Sequence, residues 1–394
     1  MRVLIAPDRF GTVLSAAQCA EALARGWRSQ APDDDLDLCP MSDGGVGFVD
    51  AVAAGSPSAE LVPVTVAGPL GAPTAATLLL LTAPGGVRCA YVEAGQAVGT
   101  HLLPADQRDR SRTTSAGVGE LIAAAVETGA RRVVVGCGAA VSHDGGAGML
   151  AALGAGPAEL LGQGAGALAQ TPDGALSRLA DVRARFEGVE LVAATDSVLP
   201  LLGFHGLSAM LAQPPVGGAL EPPAGPESAE LAQQLENALG RFADEAQRSL
   251  VAGRPLSGRG YAGEPGSGCG GGVGFALLLL GARRVSGVHA VLDVVGLTER
   301  LRGTDVLLTC EQSFDRTSLG EQVVSGVADA ATDQGIPTVV IAGLVELGRR
   351  EALAAGVAGA YALAERPVDV PTTADAVDAA LQARARRTAR TWSR

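Results

Sequence analysis

Short apolar runs rich in Val, Ile and Leu alternate along this chain with Ala-rich stretches whose apolar residues recur every three or four positions. The first pattern suits strands buried on both faces and the second suits amphipathic helices. Their alternation predicts βα units carrying a largely parallel sheet, an α/β fold. Five strands are expected, at Arg2 to Ala6, Arg132 to Gly136, Glu190 to Ala194, Asp305 to Thr309 and Pro337 to Ile341.

The first helix announces its own start. Ser15-Ala-Ala-Gln18 has the form of a capping box, and Cys19, Ala22, Leu23, Gly26 and Trp27 then share one face. Leu231, Leu235, Phe242 and Ala246 make a second stripe, preceded by a Pro- and Gly-rich stretch from Gln213 to Pro226 that reads as a long loop. A last helix after Thr372 ends in Arg384, Arg386, Arg387 and Arg390, cations that complement its dipole.

Composition sharpens the picture. With 394 residues, 47% of them hydrophobic, the chain has enough material for two cores. No apolar run approaches the ~18 residues needed to cross a bilayer. The N-terminus turns polar at Asp8, too soon for a signal peptide, so a cytoplasmic location is expected. A formal charge of -12 disfavours nucleic acid and anionic membranes and favours a small-molecule partner. The 6 cysteines lack C-x-x-C spacing and read as buried free thiols. There is no lysine: all 30 basic residues are arginine. Any phosphoryl-transfer chemistry here must therefore use arginine, backbone amides or metal where a lysine would often stand.

In open parallel sheets ligands bind beyond the carboxyl ends of the strands, so an acid that follows an apolar run is placed for function. Asp8, Asp196 and Glu311 with Asp315 follow expected strands, and Asp144 follows another after a short loop. Carboxylates converging on one crevice suit Mg2+ and a general base, although any one of them equally suits a turn cap. Two Asp-Gly-Gly tripeptides, Asp43 to Gly45 and Asp144 to Gly146, offer either a close backbone approach to a ligand or a tight turn. The run from Gly263 to Gly274, with Gly266, Gly268, Gly270, Gly271 and Gly272, opens a helix and has the composition of a phosphate cradle. Its formal dinucleotide fingerprint is rejected because no strand precedes it. Of the four histidines only His143, beside Asp144, falls in a suspected site. No G-x-S-x-G elbow supports hydrolase chemistry.

Taken in order, Asp8-Arg-Phe10, Pro40-Met-Ser-Asp-Gly-Gly45, Asp144-Gly-Gly-Ala-Gly-Met-Leu150, Asp196 before Pro200-Leu-Leu-Gly203, Pro265-Gly266 to Gly274, and Glu311 with Asp315 resemble glycerate kinases over nearly the whole chain. The resemblance implies ATP-dependent, Mg2+-assisted phosphorylation of D-glycerate or a closely related hydroxy acid. It also implies two domains with the active cleft between them. A discontinuous Rossmann-like unit would take residues 1–62 and 287–394, and an inserted α/β domain 63–286.

Carried onto this sequence, the resemblance implies Asp196, Asp8 and Arg9 as catalytic and Asp43, Gly44, Gly45, Asp315 and Arg316 as substrate-binding residues. Asp144, Gly145, Gly146, Gly266, Gly268 and Gly270 to Gly272 would bind ATP, and Asp196 with Glu311 would bind the metal. The oligomeric state stays open, with a homodimer as one option. Departures from the family pattern are systematic. D-S-F-K-G-[ST] reads Asp8-Arg9-Phe10-Gly11-Thr12-Val13, D-G-G-E-G reads Asp43-Gly44-Gly45-Val46-Gly47, and the Gln-Lys-Gly-Ala loop reads Pro214-Pro215-Val216-Gly217. Acids and glycines persist while lysines and amides do not. Two readings follow: a working small-molecule kinase in which Arg9 and Arg316 supply the positive charge, or a family member that keeps the fold and serves in binding or regulation.

Overall fold

The computed structural model describes residues 1–83, 85–138, 140–211, 228–250 and 260–393. The stretch 213–226, with Pro214 to Gly217, lies outside the described residues. In chain order the strands are β1 (Arg2–Ile5), β2 (Asp35–Leu38), β3 (Glu60–Ala67), β4 (Pro73–Thr82), β5 (Arg88–Glu93), β6 (Arg132–Cys137), β7 (Glu190–Thr195), β8 (Arg283–Ser286), β9 (Val306–Phe314), β10 (Thr338–Val345) and β11 (Val357–Ala362). They form two sheets. The first has the order β11-β10-β9-β1-β2 and is parallel throughout. The second has the order β3-β4-β5-β6-β7-β8, antiparallel across β3-β4-β5 and parallel beyond.

The five expected strands are β1, β6, β7, β9 and β10. Two boundaries move by several residues: β9 runs on to Phe314 and β10 to Val345, because their shared ladder continues through Ser313↔Leu344 and Phe314↔Val345. The apolar run stops at Cys310 while the backbone pairing does not, so Glu311 lies inside the strand and not after it. The antiparallel start of the second sheet is not among the expected strands.

Helix α1 (Ala16–Arg28) has the anticipated capping box. The Gln18 N–H donates to Ser15 Oγ at 3.2 Å and the Ser15 N–H to Gln18 Oε1 at 2.9 Å. Its buried face packs on the C-terminal helix Ala374–Trp392, closely enough that a Cβ on Gly26 would run into the Gln382 carbonyl. In the helix Ala229–Ser249 the buried stripe is Ala232, Leu235, Ala238, Leu239, Phe242 and Ala246, with Leu231 at its edge. All 6 cysteines are buried free thiols.

Between the sheets lies a shared layer made by α2 (Phe48–Gly55) and the helix Gly287–Val295. Phe48, Val49 and Val52 of α2 belong to one core with Leu4 and Leu307 of the first sheet and Leu79, Val134 and Val192 of the second. Burying that layer from both sides brings the carboxyl ends of β1, β6, β7 and β9 toward a common region.

Candidate active site

Three carboxylates meet where the two sheets approach. Asp8 follows β1, Asp43 lies in the loop after β2, and Asp196 follows β7. All three residues are half-buried. Burial, then the charge of Asp43, pushes Asp8 up to about 8 and Asp196 up to about 7, and burial raises Asp43 as well. The opposing interactions are specific. Asp8 accepts from the Arg9 N–H at 2.7 Å, and Asp43 accepts from the Gly45 N–H at 2.9 Å. The Arg9 guanidinium favours the ionised forms of Asp8 and Asp43, while Cys269 and Ser197 favour that of Asp196. Gln322 donates from Nε2 to the main-chain oxygen of Asp196 at 2.9 Å and also hydrogen-bonds Asp43. Arg284 grips the same strand end, donating to Thr195 Oγ1 at 2.9 Å and to the Ser197 carbonyl at 3.3 Å, and pairs with Glu321.

The glycines of the Asp43 loop let backbone approach backbone. A Cβ on Gly44, where φ is +97°, would stand 2.8 Å from the Ala194 carbonyl, and one on Gly138 would strike the Gly45 Cα. That Gly138 Cβ would also lie 3.5 Å from Asp196 Oδ2, so Gly138 keeps the space beside Asp196 open.

The other expected site residues part company. Glu311 adjoins Asp8 and Asp315, and burial and their charges hold its carboxyl well above the usual range. Its Oε1 is buried with no hydrogen-bond partner among the described residues. Asp315 is buried and caps a turn: Oδ1 accepts from the Thr317 N–H and Oγ1, both at 2.7 Å. The Arg316 side chain is 84% exposed and pairs with Glu351 at 3.6 Å.

Asp144, Gly145 and Gly146, expected at the nucleotide, lie at the start of the helix Ala147–Ala152. Asp144 is fully buried, and its carboxylate accepts from the Ser115 N–H and Oγ and from the N–H groups of Gly146 and Gly148, all at 2.8 to 3.1 Å. The Met149 N–H goes to Ser115 Oγ at 3.0 Å, and the Gly145 N–H to the Gly271 carbonyl at 3.0 Å. The helix Ala147–Ala152 therefore has its first donors satisfied by protein. His143 is likewise buried, with Nε2 3.0 Å from Ser208 Oγ.

Gly270, Gly271 and Gly272 share left-handed backbone at φ 64°, 69° and 95°. A Cβ on Gly271 would meet the Ser142 carbonyl and one on Gly272 the Gly145 Cα, while Gly268 abuts Pro200 and Gly266 abuts Thr195 and Arg284. The two glycine loops thus interlock with each other, and Cys269, 3.1 Å from Ser197 Oγ, carries their packing to the flank of Asp196.

A cleft of about 530 Å³ opens beside the Asp43 loop, with Arg9, Thr12 and Ser15 on one wall and Thr77, Glu93 and Gln96 on the other. Glu93 went unnoticed in the sequence. It ends the short apolar run Cys89-Ala-Tyr-Val92, so the strand-then-acid rule that located Asp8 applies to it too. Burial pushes its carboxyl up to about 7 against the N–H groups it accepts from.

A model of the glycerate kinase family matches residues 3–393. An uncharacterized protein of Mycobacterium bovis is 36% identical over 93% of this chain and 84% of its own length. The glycerate 2-kinase of Escherichia coli K12 is 33% identical over 87% of this chain and 85% of its own. A crystal structure assigned provisionally to glycerate kinase 2 of Salmonella typhimurium LT2 matches with a TM-score of 0.72 at 29% identity, covering 99% of this chain and 98% of that one. Two sheets joined over a cluster of acids, with relatives of this kind, define a small-molecule kinase. The chain belongs to the glycerate kinase family.

Proposed function

We propose that the protein transfers the γ-phosphoryl group of ATP to a hydroxyl of D-glycerate with the help of Mg2+. The observation that carries this reading is the convergence of Asp8, Asp43 and Asp196 beside Arg9 at the junction of the two sheets. The charge of Asp43 raises the proton affinity of both Asp8 and Asp196, and such crowding of carboxylates favours a bound cation. Among the described residues no three His, Cys, Asp or Glu side chains make a metal cluster. Mg2+ takes one or two carboxylates and fills its remaining positions with water and phosphate oxygens, so a sparse donor set fits it. Asp196 with Asp43 would hold it, and the ion would neutralise charge on the transferring phosphoryl group. Glu311 neighbours Asp8 and not Asp196, so its proposed role moves from the metal to the acceptor, toward which its unpaired Oε1 is available.

In this reading Arg9 holds the acceptor carboxylate, a task for which its fork of donors suits it. Asp196, with its proton affinity raised toward neutrality, orients the acceptor hydroxyl or takes its proton. The acceptor enters from the 530 Å³ cleft and ATP from the side of Ser197 and Cys269. The name of the E. coli relative favours the 2-hydroxyl. We read the expected domains, 1–62 with 287–394 and 63–286, with the first boundary moved to before Glu60, where β3 of the second sheet begins, and the second kept after Ser286, where β8 ends. A net charge of -12 supports small-molecule and not nucleic-acid partners.

The test is ADP release with Mg-ATP and a panel of small hydroxy acids, with the product identified by phosphorus NMR. Turnover strongest on D-glycerate is expected. Calorimetric binding of Mg-ATP without turnover on any acid would replace this reading with the binding role.

A further inference from the structure

We propose that Glu93 is a positioning residue for the transfer site: from the end of β5 its carboxylate clasps the start of α2 and holds the Asp43 loop in place opposite Asp196. The kinetic part of this inference rests on the kinase reading. The structural part does not.

Glu93 is 5% exposed. Its Oε2 accepts from the N–H of Gly47 at 3.1 Å and of Val49 at 3.2 Å. These are among the donors that a helix start leaves without intrahelical acceptors. The N-cap residue of α2 is Gly47, left-handed at φ 90°, which has no side chain to supply an acceptor. A carboxylate from another element therefore does the work of the cap, and it also faces the positive end of the helix dipole. The cap comes from the second sheet, whereas the loop that α2 continues comes from the first.

Asp43 itself is hydrogen-bonded by Gln322 and by the Gly45 N–H, and the glycines that follow it are held differently. Gly44 and Gly45 lie against the ends of β6 and β7 by close backbone contact, with a Cβ on Gly136 falling 2.6 Å from the Gly44 carbonyl and one on Gly44 2.8 Å from that of Ala194. Such contacts limit how near the loop comes but direct it little, because dispersion is nearly isotropic. The two hydrogen bonds to Glu93 are directional. They fix the far end of a segment whose near end carries Asp43, and Asp43 is the charge that raises both Asp8 and Asp196. The other charged groups facing Glu93 are Asp50 on α2 and Arg9 across the same cleft.

A cap that only stabilises the fold would leave the kinetics of the folded enzyme alone, so the test reads kinetics beside local exchange. In Glu93→Ala the KM for D-glycerate is expected to rise about tenfold, with a smaller fall in kcat, as expected for loss of hydrogen bonds to a charged group. Glu93→Gln is expected to restore it, since an amide oxygen accepts the same two N–H groups. Amide exchange in the ligand-free protein is read in parallel: Gly47 and Val49 should exchange faster in Glu93→Ala and recover in Glu93→Gln. If Glu93→Ala does not fold, Glu93→Asp, one methylene short, takes its place. A KM within twofold of wild type, or unchanged exchange at Gly47 and Val49, overturns the proposal. Wild-type protein without turnover would sink the kinase reading instead, and the exchange result would then decide the clasp alone.

Discussion

Gln322, at the start of the helix Val323–Thr332, donates its side-chain amide to the main-chain oxygen of Asp196, 2.9 Å away at the end of β7. One residue thereby joins the first sheet to the second and, through its bond to Asp43, ties two of the three acids together. Gln322→Ala should lower kcat/KM about 5-fold, the worth of roughly 1 kcal/mol for a net hydrogen bond. Steady-state kinetics unchanged within twofold would mean that Arg284 and Glu321 hold the strand end unaided.

Asp196→Asn keeps the shape of the side chain and removes a crowded charge. We expect kcat to fall roughly 10²-fold, as for loss of a general base. The melting temperature should hold or rise, because Asp43 no longer faces a second anion. A lower melting temperature with turnover intact would make Asp196 a structural cap.

Arg9→Ala tests a cation that favours the ionised forms of both Asp8 and Asp43. Charge-assisted hydrogen bonds contribute about 1.5 to 3 kcal/mol, so the KM for the acceptor should rise about 10- to 100-fold with little change in melting temperature. An unaltered KM would return Arg9 to the status of a solvated surface residue.

Asp144→Asn should act on stability and not on ligand affinity. Its carboxylate is the acceptor for several buried N–H and O–H groups, and an amide nitrogen would confront some of them with a second donor. A loss of about 3 kcal/mol in denaturant unfolding is expected, with nucleotide affinity of the folded variant unchanged. Full stability with weakened Mg-ATP binding would instead place Asp144 in the nucleotide site.

The raised carboxyls also predict how stability depends on pH. Asp8 at about 8, Asp196 at about 7 and Glu93 at about 7 bind protons more tightly in the folded chain than in the unfolded one. Their contribution is complete below about pH 4 and is lost as pH rises through 7 to 8. The ligand-free melting temperature should therefore fall between pH 5.5 and 8.5, and Mg2+ should restore more of it at the higher pH. A profile that is flat, or that rises with pH, would contradict the crowding of these acids.

What could be read from the sequence is what short stretches encode. Strands β1, β6, β7, β9 and β10 are legible because a strand buried on both faces must be apolar along its length. The start of α1 is legible because Ser15 and Gln18 make both bonds of its cap within one turn. Asp8 and Asp196 follow from the same local rule, an acid directly after a buried strand. The tertiary structure decided the rest. Glycine permits close approach without saying to what, so Gly44 could as well have met a ligand as the Ala194 carbonyl that it does meet. Asp144 and Asp315 carry the same residue type after the same kind of strand as Asp196, yet their carboxylates are taken by neighbouring N–H and O–H groups. Glu93 caps a helix in another part of the chain, and Gln322 reaches Asp196 across the two sheets. Which acids stay available for chemistry depends on donors brought near by packing between distant elements, and no local pattern records where those donors will be.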